Sequence, residues 1–342
     1  MPRWYSTCGA AADLYAEQTR PIGTESPYAM HTRTSLSRRA VLTGLAALPL
    51  VGCTNGRDTA SPKPSGPAPP SDSSSATADP RTAQAFRDLE RKFDARLGVH
   101  TLDTGSGRTV THRPDERFAY ASTCKALLVG AVLDKNSLRQ MDRLVRYGRD
   151  DLVSASPVTE RHIATGMTLR ELSDAAIRYS DNTAANLLFH ELGSPRALQG
   201  ALRALGDDVT RCDRYETALS DATPGDLRDT STPRALATGL RAYVLGTTLP
   251  ADKRAVLTDL LRRNTTGDNT IRAGVPDHWQ VGDKTGTGGY GTRNDIAVIW
   301  PPGAAPITLA VLSRRDAKDA ERDDALIAGA AKVALGAIGA LG

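Results

Sequence analysis

Apolar and polar residues follow several distinct patterns along this chain. Residues 82–96 have apolar side chains at helical spacing, and residues 97–120 contain two β-like runs around the turn DTGSG. Most segments between residues 122 and 263 are helical in pattern, strand-like runs return over 278–314, and an Ala-rich helix is predicted over 320–341. This order predicts an α/β protein in which both chain ends build one sheet around an all-helical lobe.

A short apolar run at residues 41–51 precedes these elements. Eleven residues are too few to span a bilayer but suit a signal peptide. Arg38 and Arg39 stand before it, as in a twin-arginine export signal, and it ends in LVGC at Cys53, which resembles a bacterial lipobox. We therefore expect residues 1–52 to be a signal region and the thiol of Cys53 to be acylated, with an ordinary signal peptide as the alternative.

Two further features define the domain organisation. Residues 1–29 precede a second methionine and lack signal-peptide features, which is compatible with an over-extended start. Residues 53–80 are rich in Ser, Pro, Ala and Gly and bury too little apolar surface to fold, so they are predicted to be a flexible tether. The folded domain is therefore predicted over 81–342, with a sheet lobe from 81–120 and 266–342 and a helical lobe over 121–265.

The charge distribution, the histidine spacing and the cysteines limit the binding partners, metal sites and disulfide bonds that this protein can be expected to have. The net charge of +4 is spread over both signs without a basic stripe, so nucleic acid is not an expected partner. The six histidines have no metal-ligand spacing, and no metal or cofactor is predicted. Within the folded domain we expect Cys124 and Cys212 to be two separate buried thiols. The predicted protein is an exported monomer that meets the membrane only through its lipid.

The stretch YASTCKALLVG contains the first candidate chemistry. On a helix, Ser122 and Lys125 share a face because they are three residues apart. Only eight of the 43 basic residues are lysines, so a retained lysine suggests a need for an amine that can lose its proton, which arginine cannot do. Ser122 is the candidate nucleophile and Lys125 its candidate base.

Three further motifs accompany this pair in a fixed order. Ser180-Asp181-Asn182 and Lys284-Thr285-Gly286 follow downstream, and residues 211–233 contain Glu216 in an irregular segment. The set resembles class A serine β-lactamases over roughly residues 82–342. The resemblance implies the β-lactamase and penicillin-binding-protein fold, an antiparallel sheet flanked by helices plus an all-helical lobe. It also implies hydrolysis of penicillins and cephalosporins, and hence β-lactam resistance.

The resemblance also implies roles for the individual residues. Ser180 would pass a proton to the leaving nitrogen, Lys284 would hold its hydroxyl, and Asn182 would offer an amide to the substrate and to Lys125. Backbone N–H groups of Ser122 and Thr287 would bind the oxyanion. The remaining implied substrate-binding residues are Thr285, Gly286, Thr287 and Arg293, which would surround the substrate carboxylate.

Glu216 distinguishes the possible activities. A carboxylate in reach of an acylated Ser122 can activate water, and the family resemblance leaves open whether Lys125 or Glu216 starts acylation. Arg214 and Asp229 resemble the charge pair that closes the family's Ω-loop. The alternatives are a penicillin-binding protein or D-Ala-D-Ala peptidase, against which Glu216 argues, and a β-lactam-binding sensor that does not hydrolyse.

Two positions depart from the usual family pattern. Ser220 stands where the Ω-loop motif normally has asparagine, which puts the rate of deacylation in doubt. Ala155 stands where an aromatic residue is frequent, so one wall of the substrate cleft is expected to be missing.

Overall fold

The computed structural model describes residues 79–341. The predicted signal region 1–52, the lipid site Cys53 and the tether as far as residue 78 lie outside the described residues. Among residues 79–341, no helix combines the length and the apolar character needed to cross a bilayer.

Residues 79–341 form nine strands and eight α-helices. The strands are β1 (Arg96–Asp103), β2 (Thr109–His112), β3 (Phe118–Ala119), β4 (Leu144–Val145), β5 (Met167–Thr168), β6 (Thr230–Ser231), β7 (Gln280–Thr287), β8 (Arg293–Trp300) and β9 (Ile307–Arg314). The helices are α1 (Pro80–Phe93), α2 (Cys124–Lys135), α3 (Leu169–Arg178), α4 (Asn182–Leu192), α5 (Pro195–Ala204), α6 (Pro233–Val244), α7 (Ala251–Arg262) and α8 (Asp324–Ala337).

Five antiparallel strands form the main sheet in the order β2-β1-β9-β8-β7. The two ends of the described chain meet where β1 pairs with β9 along its whole length. Strands β8 and β9 each bury seven of their eight residues, because alternate side chains enter two different cores. Ile296 and Val298 join the core of the helical lobe, whereas Ala297 and Ile299 pack with α1 and α8. The predicted α/β class with an antiparallel sheet is confirmed.

Helix α2 lies at the centre of the helical lobe. Ten of its twelve residues are buried, because α3, α4, α6 and α7 surround it. A helix enclosed on all sides carries no polar face, which explains the continuous apolar run after Lys125. The lobe therefore fixes α2, and with it the turn that carries Ser122.

The element ends differ from the sequence predictions in two places. The first helix, predicted over 82–96, ends at Phe93, because Asp94 adopts a left-handed conformation (φ 45°) and Arg96 already begins β1. The last helix, predicted from residue 320, begins at Asp324, where the Asp323 side chain accepts a hydrogen bond from a free N–H of the first turn. Cys124 and Cys212 are free and buried, as predicted.

Candidate active site

A cleft of about 680 Å³ collects most of the predicted site residues. Its walls come from the start of α2, the loop before α4, the segment around Glu216, and β7 with β8. Eight predicted residues line it: Ser122, Ser180, Asn182, Glu216, Ser220, Thr285, Thr287 and Arg293. Ala155 lines it as well, and the sequence reasoning missed six others, Pro157, Tyr179, Thr217, Thr266, Arg322 and Asp324.

Ser122 belongs to a single 3₁₀ turn, Ala121–Thr123, directly before α2. Ala121 has a left-handed backbone (φ 47°), an unfavourable conformation for alanine that the surrounding packing must impose. Ser122 is 8% exposed, and its Oγ donates a hydrogen bond to Glu216 Oε1 at 3.2 Å. The nucleophile candidate is thus held in contact with a carboxylate.

Lys125 lies fully buried one turn further along. Its Nζ donates to the Ser180 carbonyl oxygen at 2.8 Å and to Asn182 Oδ1 at 2.6 Å, and lies 3.0 Å from Glu216 Oε1. These three acceptors match the three hydrogens of an ammonium group. Within residues 79–341, no hydrogen bond joins Lys125 Nζ to Ser122 Oγ. The geometry therefore favours Glu216, rather than Lys125, as the group that accepts the Ser122 proton.

Glu216 is held through both its backbone and its side chain. Asn186 Nδ2 donates to the Glu216 carbonyl at 2.9 Å, and Glu216 N–H donates to Asn186 Oδ1 at 2.8 Å. The Ser220 hydroxyl donates to Oε2 at 3.1 Å, so the residue that replaces asparagine contacts the carboxylate directly. The peptide bond between Glu216 and Thr217 is cis. Sequence reasoning missed Asn186, although it lies one helical turn after Asn182 on α4.

Arg214 and Asp229 form the predicted pair at the base of this segment. Arg214 Nε lies 2.5 Å from Asp229 Oδ2, and Asp229 is 1% exposed. The other oxygen, Oδ1, accepts from the N–H groups of Asp213 and Arg214 and from the Tyr120 hydroxyl. Asp229 thus ties the segment that carries Glu216 to the strand end that precedes Ser122.

The Asp229→Asn variant is expected to lower the free energy of unfolding by about 3 kcal/mol, because it leaves Arg214 without its buried partner. An amide also presents hydrogens where only donors surround the carboxylate. Urea unfolding of the variant checks this value. Asp226→Asn is the matched control, since Asp226 pairs with exposed Arg228 in the same segment. Equal losses in both variants would contradict the assignment.

Ser180 and Lys284 meet across the cleft, as predicted. Lys284 Nζ lies 3.1 Å from Ser180 Oγ and 2.9 Å from the Thr285 carbonyl oxygen. Ser180 has a left-handed backbone (φ 57°), and Asp181 caps α4 by accepting from Ala184 N–H at 2.8 Å. Asp181 also accepts from the N–H groups of Val158 and Thr159, so its role is structural.

Burial lowers the pKa of Lys284 to about 7, and the nearby charge of Lys125 acts in the same direction against Asp283 and Asp295. A lysine with a lowered pKa loses its charge as the pH rises through that value. We therefore expect KM for a carboxylate-bearing substrate to rise above pH 7. KM measured between pH 6 and 9 tests this, with Lys284→Arg as the control that stays charged. A rise of equal size in the folded Lys284→Arg enzyme would assign the titration to another group.

Arg293 and two threonines form the predicted carboxylate site on β7 and β8. Arg293 Nη1 donates to Thr287 Oγ1 at 3.0 Å, and its Nε lies 2.6 Å from Asp324 Oδ1. Gly286 does not line the cleft. A Cβ on Gly286 would lie 2.8 Å from the Tyr120 carbonyl oxygen, so the glycine lets β7 pack against the turn of Ser122. Gly286, which was expected to bind substrate, is thus in close contact with the protein's own backbone.

At Ala155 the cleft lacks an aromatic side chain, as expected, but Tyr179 partly takes the place of this wall. Ala155 lines the cleft with a left-handed backbone (φ 58°). Tyr179 lines the same cleft, is 40% exposed, and has the Arg178 guanidinium 5.1 Å from its ring centre. An aromatic surface is therefore available from the residue directly after α3, which the sequence reasoning did not anticipate. Asn182 Nδ2 donates to the Ser154 carbonyl at 2.9 Å, which orients its amide.

Comparisons with known proteins agree with this geometry. Residues 81–338 match the model of the Beta-lactamase enzyme family. A β-lactamase of Bacillus amyloliquefaciens is 59% identical over 254 residues, which cover 74% of this chain and 83% of that protein. A β-lactamase of Mycobacterium tuberculosis is 50% identical over 308 residues, or 88% of this chain and 97% of that protein.

The solved structures lead to the same family. A class A β-lactamase from Clostridium kluyveri superposes with a TM-score of 0.75 at 48% identity, over 76% of this chain and 100% of that one. A β-lactamase from a halotolerant bacterium superposes with a TM-score of 0.73 at 54% identity. Identity at this level over the whole described domain, with the four motifs joined in one cleft, shows that the chain belongs to the class A serine β-lactamases.

Proposed function

We propose that this protein hydrolyses the β-lactam amide of penicillins and cephalosporins through an acyl-enzyme on Ser122. The observation that carries the proposal is the contact of Ser122 Oγ with Glu216 at 3.2 Å. It places the nucleophile and a general base within hydrogen-bond reach, which both halves of the reaction need. In a bacterium, this activity would confer resistance to β-lactams.

Acylation begins with attack of Ser122 Oγ on the β-lactam carbonyl carbon. Glu216 accepts the hydroxyl proton, and Lys125, 3.0 Å from the carboxylate, balances its charge. Backbone N–H groups of Ser122 and Thr287 bind the oxyanion in this proposal. The C–N bond then breaks, and the nitrogen takes a proton from Ser180 Oγ, which Lys284 contacts. Lys284 returns a proton to Ser180 across this contact, Glu216 releases the Ser122 proton to solvent, and Lys284 takes one up from solvent. In net terms one proton leaves Ser122 and one reaches the nitrogen, and Glu216 is ionised again.

Deacylation uses the same carboxylate. Glu216 removes a proton from a water molecule, the hydroxide attacks the ester carbon, and Ser122 leaves with its proton restored. The Ser220 hydroxyl, 3.1 Å from Oε2, holds the carboxylate from its other side. Both oxygens of Glu216 are therefore oriented by neighbours, which favours turnover over a stable acyl-enzyme.

Two other functions could use the same cleft. A penicillin-binding protein with D-Ala-D-Ala peptidase activity needs the serine, the lysines and Asn182 but not Glu216. A sensor that binds β-lactams without hydrolysing them would remain as the acyl-enzyme. Ser220, which stands where the family has asparagine, is the feature that favours this alternative. The contacts of Glu216 with Ser122, Lys125 and Ser220 support hydrolysis against both.

The test uses purified residues 79–342 with benzylpenicillin, followed by absorbance and by intact mass. Many equivalents consumed per enzyme, with no turnover in Ser122→Ala, would support the proposal. One equivalent consumed, with the wild type trapped as a stable adduct, would instead identify a binding protein. Consumption of a D-Ala-D-Ala peptide at a comparable rate would favour the peptidase.

We also propose that the protein is exported and attached to the outer face of the cytoplasmic membrane through Cys53, as a monomer. The support is sequence alone: the paired arginines, the apolar run 41–51 and the LVGC ending. Labelling of cells with a fatty-acid analogue, comparing wild type with Cys53→Ser, tests this. Label retained in the variant, or wild-type protein confined to the cytosol, would overturn the proposal.

A further inference from the structure

A chain of hydrogen bonds runs from the protein interior to the cleft beside Lys284. Asn264 Nδ2 donates to Asp283 Oδ2 at 2.6 Å, and Asp283 Oδ1 accepts from Arg272 Nε at 2.6 Å. Asn264 Oδ1 contacts Thr266 Oγ1 at 2.9 Å, and Thr266 Oγ1 contacts Thr285 Oγ1 at 2.6 Å. Thr285 and Thr266 both line the cleft, so the chain ends at the predicted carboxylate site.

At the interior end of this series of hydrogen bonds, the side-chain amide of Asn264 has only one possible orientation. The Thr266 N–H can only donate, and it lies 3.1 Å from one Asn264 side-chain atom, which must therefore be the oxygen. The Asn264 nitrogen then faces Asp283 and donates to it. A Cβ at position 267 would lie 2.0 Å from Asp283 Oδ2, so the backbone at Gly267 packs tightly against the carboxylate and holds it in place.

With Asn264 in this orientation, the contacts describe one arrangement of the two hydroxyl hydrogens. Asn264 Oδ1 is an acceptor, so the Thr266 hydroxyl donates to it. A hydroxyl has a single hydrogen, and Thr285 must therefore donate to Thr266 across their 2.6 Å contact. In this arrangement Thr285 turns lone pairs, rather than its hydrogen, toward the cleft. A substrate carboxylate arriving there would face an acceptor.

A second arrangement is available without leaving any buried group unpaired. Thr285 can turn its hydrogen to a carboxylate while Thr266 turns its own hydrogen to Thr285. Asn264 Oδ1 keeps the N–H of Thr266 as its donor. The Thr266 carbonyl is also 3.4 Å from Arg293 Nη2, so this one residue contacts two of the groups that are predicted to surround the carboxylate.

We infer that Thr266 is a positioning residue for substrate recognition, which switches the Thr285 hydroxyl from acceptor to donor when a β-lactam carboxylate enters. The inference rests on the proposed hydrolytic function and assigns to Thr266 a part in recognising the substrate carboxylate. Two hydroxyl rotations accomplish the switch, and no proton changes its atom. Chained hydrogen bonds strengthen one another, so the Thr266 donor would strengthen the bond from Thr285 to the carboxylate.

The experiment compares Thr266→Val, which removes only the hydroxyl, with Thr266→Ser, which retains it. Substrates are benzylpenicillin and its methyl ester, which lacks the carboxylate charge. We expect Thr266→Val to raise KM for the acid about tenfold with kcat within about twofold, as loss of a charge-assisted hydrogen bond implies. Thr266→Ser should restore KM, and the ester should not distinguish the three enzymes.

The matched control is Thr101→Val, because Thr101 is a buried β1 threonine whose hydroxyl has no partner among residues 79–341. If the methyl ester is hydrolysed too slowly to measure KM, its inhibition constant is measured instead, with a chromogenic cephalosporin as the substrate. Equal effects on acid and ester, an unchanged KM for the acid, or failure of Thr266→Ser to restore it would each overturn the inference. Failure of the proposed function would appear separately, as absence of turnover by the wild type, and the variants would then be compared by their acylation rate constants.

Discussion

The Glu216→Gln enzyme is expected to form the acyl-enzyme on Ser122 and then to stop. A glutamine keeps the shape of the side chain and can still accept from Ser220 or Lys125, but it cannot take a proton from water. General-base catalysis contributes about 10²- to 10⁴-fold, so kcat for benzylpenicillin should fall by about that factor. Intact mass should show one penicilloyl adduct on the variant and none on the wild type at steady state.

The glutamine variant also tests the first half of the reaction. Because the Ser122 hydroxyl donates to Glu216 and not to Lys125, acylation should slow as well, which stopped-flow measurement of adduct formation can show. Glu160→Gln is the matched control, since Glu160 is exposed on the loop before α3. If Glu216→Gln is acylated at the wild-type rate, Lys125 and not Glu216 is the base in acylation. If its turnover exceeds a tenth of the wild-type rate, Glu216 is not the general base of the reaction.

The Lys125→Arg enzyme is expected to lose acylation itself. Three acceptors surround Nζ at 2.6–3.0 Å, and the side chain has no exposed surface, so a planar guanidinium cannot fit the same place. The larger group would displace Glu216 or the Ser180 backbone, and we expect kcat/KM to fall by about 10²- to 10⁴-fold. Unlike Glu216→Gln, this variant should show no rapid adduct in the mass spectrum.

Lys135→Arg provides the comparison for that result. Lys135 is the last residue of the same helix, α2, and its ammonium donates to carbonyl oxygens at the surface. Arginine can make those bonds, so activity and thermal midpoint should both stay near wild type. Retention of more than a tenth of kcat/KM in Lys125→Arg would show that the site needs only a cation at this position.

Much of the fold was predictable because local patterns and long-range packing agree. The alternate burial of β8 and β9 in two cores appears in the sequence as strand-like apolar runs. Thr168 and Glu171 have the spacing of a helix-capping box in the sequence, and they form one at the start of α3. The ends of α1 and α8 were predicted less well. Their terminal residues still fit a helical pattern, whereas Asp94 and Asp323 decide the boundaries through backbone geometry and capping.

Several residues of the site could not be identified from the sequence. Asn186 holds the Glu216 backbone, and Tyr179 supplies an aromatic wall near Ala155. Asn186 is nevertheless a common residue on an ordinary helix, and Tyr179 directly follows another helix. Thr266 and Asn264 acquire their roles only because β7 places Thr285 and Asp283 beside them. Sequence spacing reports neighbours along one element and not those contributed by another.

By itself the sequence determined the family, the α/β class and the identity of the reacting groups, since four motifs in a fixed order name the residue types that acyl transfer requires. Only the tertiary structure decided which of these groups are hydrogen-bonded to one another. Ser122 and Lys125 are three residues apart, but Glu216, 94 positions from Ser122, accepts the Ser122 hydrogen bond because the Arg214 and Asp229 pair folds its segment back against the start of α2. Hydrogen bonds depend on distance and direction in space, and these are properties that only the packed chain has.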